Sequence, residues 1–263
     1  MLSYQHAYHA GNLADVHKHA ALAWMLDYLT QKDKPLSYIE THAGRGLYDL
    51  LATEAIKTGE AAKGITRAEA WFAADHPYLR VLADVRKAHG DQAYPGSPLI
   101  AATLLRETDT LHLADLHPQE HAELEHLLPM ASVHRRDGIA LAQSLCPPTP
   151  RRGLLLIDPS YEVKEDYDLL PRALTTLHKK WNVGILMLWY PILTSQAHLP
   201  MLDALQEALP GALRHEVGFA PARRGHGMVG SGLFVVNPPW GLAAELQRLE
   251  ACFERMRQGG FSR

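Results

Sequence analysis

Residues Asp158-Pro159-Ser160-Tyr161 begin at the last residue of the largely apolar run GLLLID (residues 153–158). A carboxylate at the mouth of such a run can accept hydrogen bonds from an exocyclic amine. Proline fixes φ near about −65° and has no N–H, so the chain beside the acid is held rigidly. The aromatic ring offers a face on which a flat base can stack. The plainer reading is a strand-ending turn with an aromatic lid. A second candidate is Glu40-Thr41-His42-Ala43-Gly44-Arg45-Gly46. Its two glycines let a ligand come close to the backbone, although glycine is common in such connections. A third is Asp115, at the end of TLHLAD (residues 110–115). It is placed either to hold a ribose diol or to cap the next helix. Its distance from the glycine turn exceeds the ~20 residues usual for a dinucleotide fingerprint, as an insertion between the two strands would explain.

The elements around these residues read as alternating strands and helices. Asn12 caps a helix over residues 13–29, with Asp15 at its third position. LSYIE (36–40), TLHLAD, a short strand near 132–135, GLLLID and VGILMLWYP (183–191) read as strands. GLLLID and VGILMLWYP are apolar throughout, as strands buried on both faces are. Ser97 followed by Pro98 marks a helix start, with Ser97 as N-cap. Helices follow near 120–128, 167–180, 199–209 and 242–257. RHEVGFA and GLFVVN are joined without a helix, so they pair antiparallel at one edge. Residues 50–94 show helical composition and no convincing strand. The expected fold is α/β, with a Rossmann-like, mostly parallel sheet, an antiparallel edge and a small helical insertion. Residues 1–49 and 95–263 form the main domain and 50–94 the insertion.

The Asp158 turn resembles the (D/N/S)PP(Y/F/W) motif of amino-group methyltransferases that use S-adenosylmethionine. Asn237-Pro238-Pro239-Trp240 matches it more literally, but GLFVVN is the last strand, whereas GLLLID suits a central parallel one. Chemistry is therefore assigned to Asp158, and NPPW is read as a structural turn. MLSYQHAYHAGNLADVHKH, THAGRG, YPGSPLI, ADLHP, RDG, LLLIDPSY, LWYP and SGLFVVNPPW occur in that order. Together they resemble the 23S ribosomal RNA adenine-N6 methyltransferases of the large-subunit J type, over essentially the whole chain. The resemblance implies methyl transfer from S-adenosylmethionine, leaving S-adenosylhomocysteine, to one adenosine of 23S RNA, with RNA rather than assembled ribosomes as substrate. It places cofactor contacts on His19, His42, Ser97, Asp115, Asp137, Gly138 and Asp158, with Lys18 beside them. Asp158 becomes the proton acceptor, flanked by Pro159 and Tyr161, and Tyr4 meets the substrate base. Two departures stand out: Ser160 replaces the second proline of DPPY, and Asp115 replaces the glutamate of ELHP, shortening a ribose-binding arm by one methylene.

The 263 residues carry 26 Lys+Arg, 29 Asp+Glu and 16 His, a formal charge of −3. That balance argues against a generally cationic nucleic-acid coat. Two segments are locally basic: 134–152, with Arg135, Arg136, Arg151 and Arg152, and 213–263, with Arg223 and Arg224 in a glycine-rich loop. Both suit phosphate contact. His17 and His19 sit two apart on a helix and so face different ways; no metal is expected. Cys146 and Cys252 fit no ligand or disulfide spacing and read as reduced core thiols. With no signal-like or membrane-spanning run, a cytoplasmic protein without membrane association is expected, and nothing demands more than a monomer. The alternatives are adenine-N6 methylation of DNA and a non-catalytic nucleic-acid-binding protein. A nicotinamide enzyme is disfavoured because THAGRG lacks GxGxxG.

Overall fold

A computed structural model describes residues 5–220 and 227–259; Tyr4, Arg223 and Arg224 lie outside the described residues. In chain order the elements are α1 (Leu13–Thr30), β1 (Ser37–Glu40), β2 (Leu47–Asp49), α2 (Thr53–Thr58), α3 (Glu60–Lys63), α4 (Ile65–Ala68), α5 (Pro77–His89) and β3 (Ala93–Pro95). They continue with α6 (Ser97–Leu104), β4 (Thr110–Ala114), α7 (Pro118–Leu127), β5 (Ser132–His134), α8 (Gly138–Leu145), β6 (Gly153–Ile157) and α9 (Asp166–Lys180). The last are β7 (Ile185–Leu193), α10 (Leu199–Ala208), β8 (Leu213–Gly218), β9 (Met228–Val236) and α11 (Leu242–Gln258).

The main sheet has the order β5-β4-β1-β6-β7-β9-β8. The first five strands in that order are parallel, and β9 runs antiparallel to both β7 and β8. The chain builds outward from β1 to β5 and then returns to place β6 on the other side of β1. Strand order therefore reverses between β1 and β6, and ligands of open α/β sheets sit outside the strand ends at that point. Alternation along the central strands shows why their sequences lack a polar face. Tyr38, Leu154, Leu156 and Met187 enter one core with α1, α5, α6 and α11. Ile39, Leu155, Ile157 and Leu188 enter a second core with α9 and α10.

Asn12 caps α1 as expected, accepting from the Asp15 N–H at 2.9 Å. The helix is buried nearly all round, including Asp15, His17, Lys18 and His19, so each polar group must find a partner inside the protein. Two readings are corrected. First, β3 begins within the segment expected to be wholly helical and pairs antiparallel with β2, Tyr94 opposite Tyr48. Three-residue strands are too short to show a period. Second, Ser97 is the first helical residue of α6 rather than its N-cap; Gly96 holds that place. The Ser97 hydroxyl donates instead to Glu40 Oε1 at 2.5 Å, a partner 57 residues away that no local signal reveals.

Candidate active site

A cleft of about 570 Å³ opens at the carboxyl ends of the parallel strands, within the ~300–1,000 Å³ range of small-molecule sites. Each strand contributes: His42 follows β1, Asp115 follows β4, Asp137 and Gly138 follow β5, Asp158 to Tyr161 follow β6, and Trp189 lies on β7. Lys18 and His19 reach the cleft from α1, and Ser97 from the start of α6. The ten described residues singled out from the sequence thus line one cavity.

The half nearest β1, β4 and β5 is a preset polar cradle. Asp115 accepts from the Gly44 N–H through Oδ2 and from the His117 N–H through Oδ1, both at 2.8 Å. Asp115 thus ties the glycine turn to the residue before α7, and each oxygen keeps acceptor capacity. Burial raises its pKa, against the pull of the two backbone donors. Gly44 has φ +61°, and a Cβ there would come within 2.6 Å of the Tyr48 hydroxyl, so the turn excludes side chains. Asp137 caps α8 through the Ala140 N–H at 2.7 Å. A Cβ on Gly138 would lie 1.9 Å from the Thr41 carbonyl oxygen, so glycine there lets α8 press against the end of β1. His42 contacts the Thr41 hydroxyl at 2.8 Å. Burial lowers its pKa despite the facing Asp158, Asp115 and Asp137, leaving a neutral imidazole.

Charge is concentrated in the other half. Lys18 Nζ lies 2.5 Å from Asp158 Oδ2 and 3.3 Å from Asp15 Oδ1. Burial opposes its charge, but Asp158 and Asp15 outweigh that and raise its pKa above the usual lysine range. Asp15 also accepts from His6 Nε2 and the Gly11 N–H, each at 2.9 Å. Burial works against its ionisation, yet His6, His19 and Lys18 hold its carboxyl well below the ordinary range. Burial pushes His19 down to about 3, so at neutral pH the fixed cation beside Asp15 is Lys18. Glu40, fully buried, accepts from Ser97 and from the Tyr38 hydroxyl at 2.8 Å. Burial pushes it up to about 8, against those two hydrogen bonds.

Tyr161 has φ +56°, a left-handed conformation that costs a non-glycine residue about 1–2 kcal/mol. Its hydroxyl donates to the Trp189 carbonyl at 2.8 Å, and its ring meets the Trp189 ring edge-on at 6.0 Å. These contacts hold the ring at the cleft wall. The sequence alone assigns no site role to Trp189, to Asp15, which reads only as a first-turn acid of α1, or to Glu40, which reads only as the start of the glycine turn. The Asp15-x-x-Lys18 spacing, i and i+3 on one helix face, and the acid opening ETHAGRG were the available signals.

The other expectations separate in space. Asn237, at φ +54°, donates its side-chain N–H groups to the carbonyls of Asn182 and Gly184 at 2.9 and 2.8 Å. Because β9 is antiparallel to β7, NPPW emerges at the sheet end opposite Asp158 and is a structural turn. Arg135 and Arg136 immediately precede Asp137 on the cleft side. Arg151 and Arg152 precede β6 at the far end, where Arg152 donates to the Leu29 and Lys34 carbonyls and Arg151 to Asn182. In the C-terminal basic segment, Arg214 pairs with Glu216 and Arg248 with Glu245. His17 and His19 diverge as expected: His17 reaches Ser231 and His215, and His19 reaches Tyr94. Among the described residues no group of three or more His, Cys, Asp or Glu could hold a metal ion, and no helix is long and apolar enough to cross a membrane.

A mostly parallel sheet with its cleft at the reversal of strand order, and an acid-proline-aromatic turn in the cleft wall, define a Rossmann-like methyltransferase. The chain belongs to the family described as Ribosomal RNA large subunit methyltransferase D, RlmJ, which it matches over residues 33–259. It is 39% identical over 258 residues to Ribosomal RNA large subunit methyltransferase J of Escherichia coli (strain K12), covering 95% of this chain and 91% of that protein. It is 37% identical over 259 residues to the protein of the same name from Haemophilus influenzae, covering 95% and 92%. The crystal structure of protein LPL1258 from Legionella pneumophila superposes with a TM-score of 0.85 at 35% identity, over 96% of this chain and 95% of that one.

Proposed function

We propose that this methyltransferase takes its methyl group from S-adenosylmethionine and places it on the N6 amine of one adenosine in 23S ribosomal RNA. The observation that carries the reading is Asp158-Pro159-Ser160-Tyr161 at the carboxyl end of β6, beside the strand-order reversal and facing the polar cradle across one cleft. The relatives' names supply the RNA class. The cradle fits the cofactor: Asp115 stands where a ribose diol would be held, and Gly44 and Gly138 leave room where side chains would intrude. His42, Ser97, Asp137, Lys18 and His19 complete the proposed cofactor contacts.

When bound, S-adenosylmethionine supplies a methyl group on a positively charged sulfur. The chain's own residues handle the amine. An adenine amine is a weak nucleophile because its lone pair is delocalised into the ring. Asp158 and the Pro159 carbonyl accept its two N–H groups and favour a pyramidal nitrogen. Asp158 then receives the proton released by methylation, at the oxygen not held by Lys18. Tyr161 stacks on the base, with Tyr4 proposed to close over it. Positioning of this kind can supply ~7–11 kcal/mol of a barrier. The adenosine must leave its stack to reach the cleft. We take residues 50–94 as an inserted subdomain; its helices lie between β2 and β3, which pair at its base.

Tritiated methyl transfer to unmodified 23S RNA fragments, with adenine-containing DNA as comparison and nucleoside analysis of the product, tests the reading. N6-methyladenosine in the RNA is the expected product; no methylated adenosine would overturn it.

A further inference from the structure

One buried polar system remains unexplained by the roles above. The Trp189 indole Nε1–H donates to Ser231 Oγ at 2.9 Å. Ser231 Oγ lies 2.9 Å from His17 Nδ1, and His17 Nε2 lies 2.9 Å from His215 Nδ1. His215 Nε2 faces the Glu250 carboxylate at 3.6 Å. Ser231 and His17 are wholly buried, whereas the Glu250 side chain is about half exposed.

The chemistry of the indole sets the direction of the three hydrogen bonds, and the Glu250 carboxylate, at 3.6 Å beyond hydrogen-bond distance, agrees with it. Indole only donates and a carboxylate only accepts. Ser231 therefore receives the indole N–H and gives its own proton to His17 Nδ1. His17 then carries its proton on Nε2 and donates to His215 Nδ1. His215 carries its proton on Nε2, toward Glu250. The reverse order would leave the serine proton without a described acceptor and set a bare nitrogen against a carboxylate. Burial, with His215 beside it, keeps His17 well below the ordinary histidine range. Burial also lowers His215, against the pull of Glu250. Both rings are thus neutral, as a one-way chain requires. At the cleft end, Trp189 carries Lys18 Nζ at 5.6 Å from its ring centroid, and its carbonyl anchors the Tyr161 hydroxyl.

We infer that Trp189 is a substrate-contacting wall residue, and that Ser231 and His17 are positioning residues which fix its indole plane beside Tyr161 to set the pose of the target base. This inference rests on the reading of the cleft as an RNA methyltransferase site. The three hydrogen bonds from Trp189 through Ser231 and His17 to His215 favour one arrangement of these side chains. Free rotation of a large ring at the cleft wall would blur the corner that receives a flat base.

The test uses the full chain labelled with ¹⁵N at the tryptophan indoles. The Trp189 indole signal is assigned by its loss in Trp189→Phe. It is expected to move in Ser231→Ala and, in the wild type, on addition of an unmodified 23S RNA fragment. A signal unmoved by Ser231→Ala refutes the chain, and one unmoved by RNA refutes the wall contact. In parallel, Ser231→Ala is expected to lower kcat/KM for the RNA about tenfold, as loss of a buried hydrogen bond does. In the Trp189→Phe background, where no indole N–H remains to be held, the same substitution should change it less than about twofold. Equal losses in the two backgrounds would show a merely structural serine and overturn the inference. Ser231→Cys fills nearly the same space with a weak acceptor. It keeps the test available if the alanine variant does not fold, with the same direction expected in every measurement. A wild type that transfers no methyl to RNA would refute the proposed function, while the indole signals would still decide whether Ser231 holds Trp189 and whether RNA meets it.

Discussion

Glu40→Gln should make the protein more stable in alkali while leaving it nearly unchanged in mild acid. Three buried or nearly buried carboxylates, Asp15, Glu40 and Asp158, surround the single ammonium of Lys18. Lys18 contacts Asp15 and Asp158 directly, whereas Glu40 is held by two hydroxyls, from Ser97 and Tyr38. Glu40 is therefore the group that keeps its proton, and its pKa rises from 4.5 to about 8. Between those values the folded state binds more protons than the unfolded one, so stability falls as pH rises. The contribution of Glu40 is fully present below pH 4.5 and levels off at its lowest above about pH 8. Integrating the two titrations from about pH 5 to about pH 9, at ~1.36 kcal/mol per unit, gives a loss of about 4 kcal/mol. Glutamine has the same shape, its amide oxygen can accept one hydroxyl, and it does not ionise. Urea unfolding of both proteins between pH 5 and pH 9 should show the variant gaining about 4 kcal/mol on the wild type across that range. Titrations of groups that do not couple to Glu40 cancel in the difference. Two stability curves that stay parallel would refute the idea that Glu40 holds a proton in the fold.

Asp158→Ala should abolish methyl transfer while leaving S-adenosylhomocysteine affinity largely intact, measured by tritium incorporation and by calorimetry; full activity would remove Asp158 from its role. Lys18→Met strips Asp15 and Asp158 of their common cation and should cost about 3–5 kcal/mol in urea unfolding at neutral pH, as breaking a buried pair does. A loss under about 1 kcal/mol, the scale of an exposed pair, would show that solvent already screens the cluster. Gly138→Ala forces a Cβ toward the Thr41 carbonyl and should destabilise by about 1–3 kcal/mol, with weaker cofactor binding by calorimetry; an unchanged midpoint and affinity would mean that α8 shifts freely.

Much of this protein is legible in its residues because the signals are local. The apolar runs of β6 and β7, the Asn12 cap of α1 and the helix–strand alternation require only the preferences of neighbouring residues, and they suffice for an α/β domain with Asp158 at a strand mouth. The family resemblance then brought ten described residues to what is one cleft. Position in space was less accessible. Asp158 and Asn237 both end apolar strands, and only the opposed directions of β6 and β9 carry them to opposite ends of the sheet. Arg136 and Arg151 are close in sequence, yet α8 and the loop after it separate them, leaving one arginine pair by the cleft and the other holding carbonyls at the far end.

The sequence by itself determined the order and kind of the elements and the chemical types available at the strand ends. Short-range sterics and burial periodicity act within a few residues, so these features need no knowledge of the fold. Only the tertiary structure decided what charge and orientation those groups take. Lys18 meets Asp158 across 140 residues, and His17 meets Ser231 across 214. Whether Glu40 keeps a proton, or the Trp189 indole is held by a serine, depends on desolvation and on partners a few ångströms away, which the fold alone brings together.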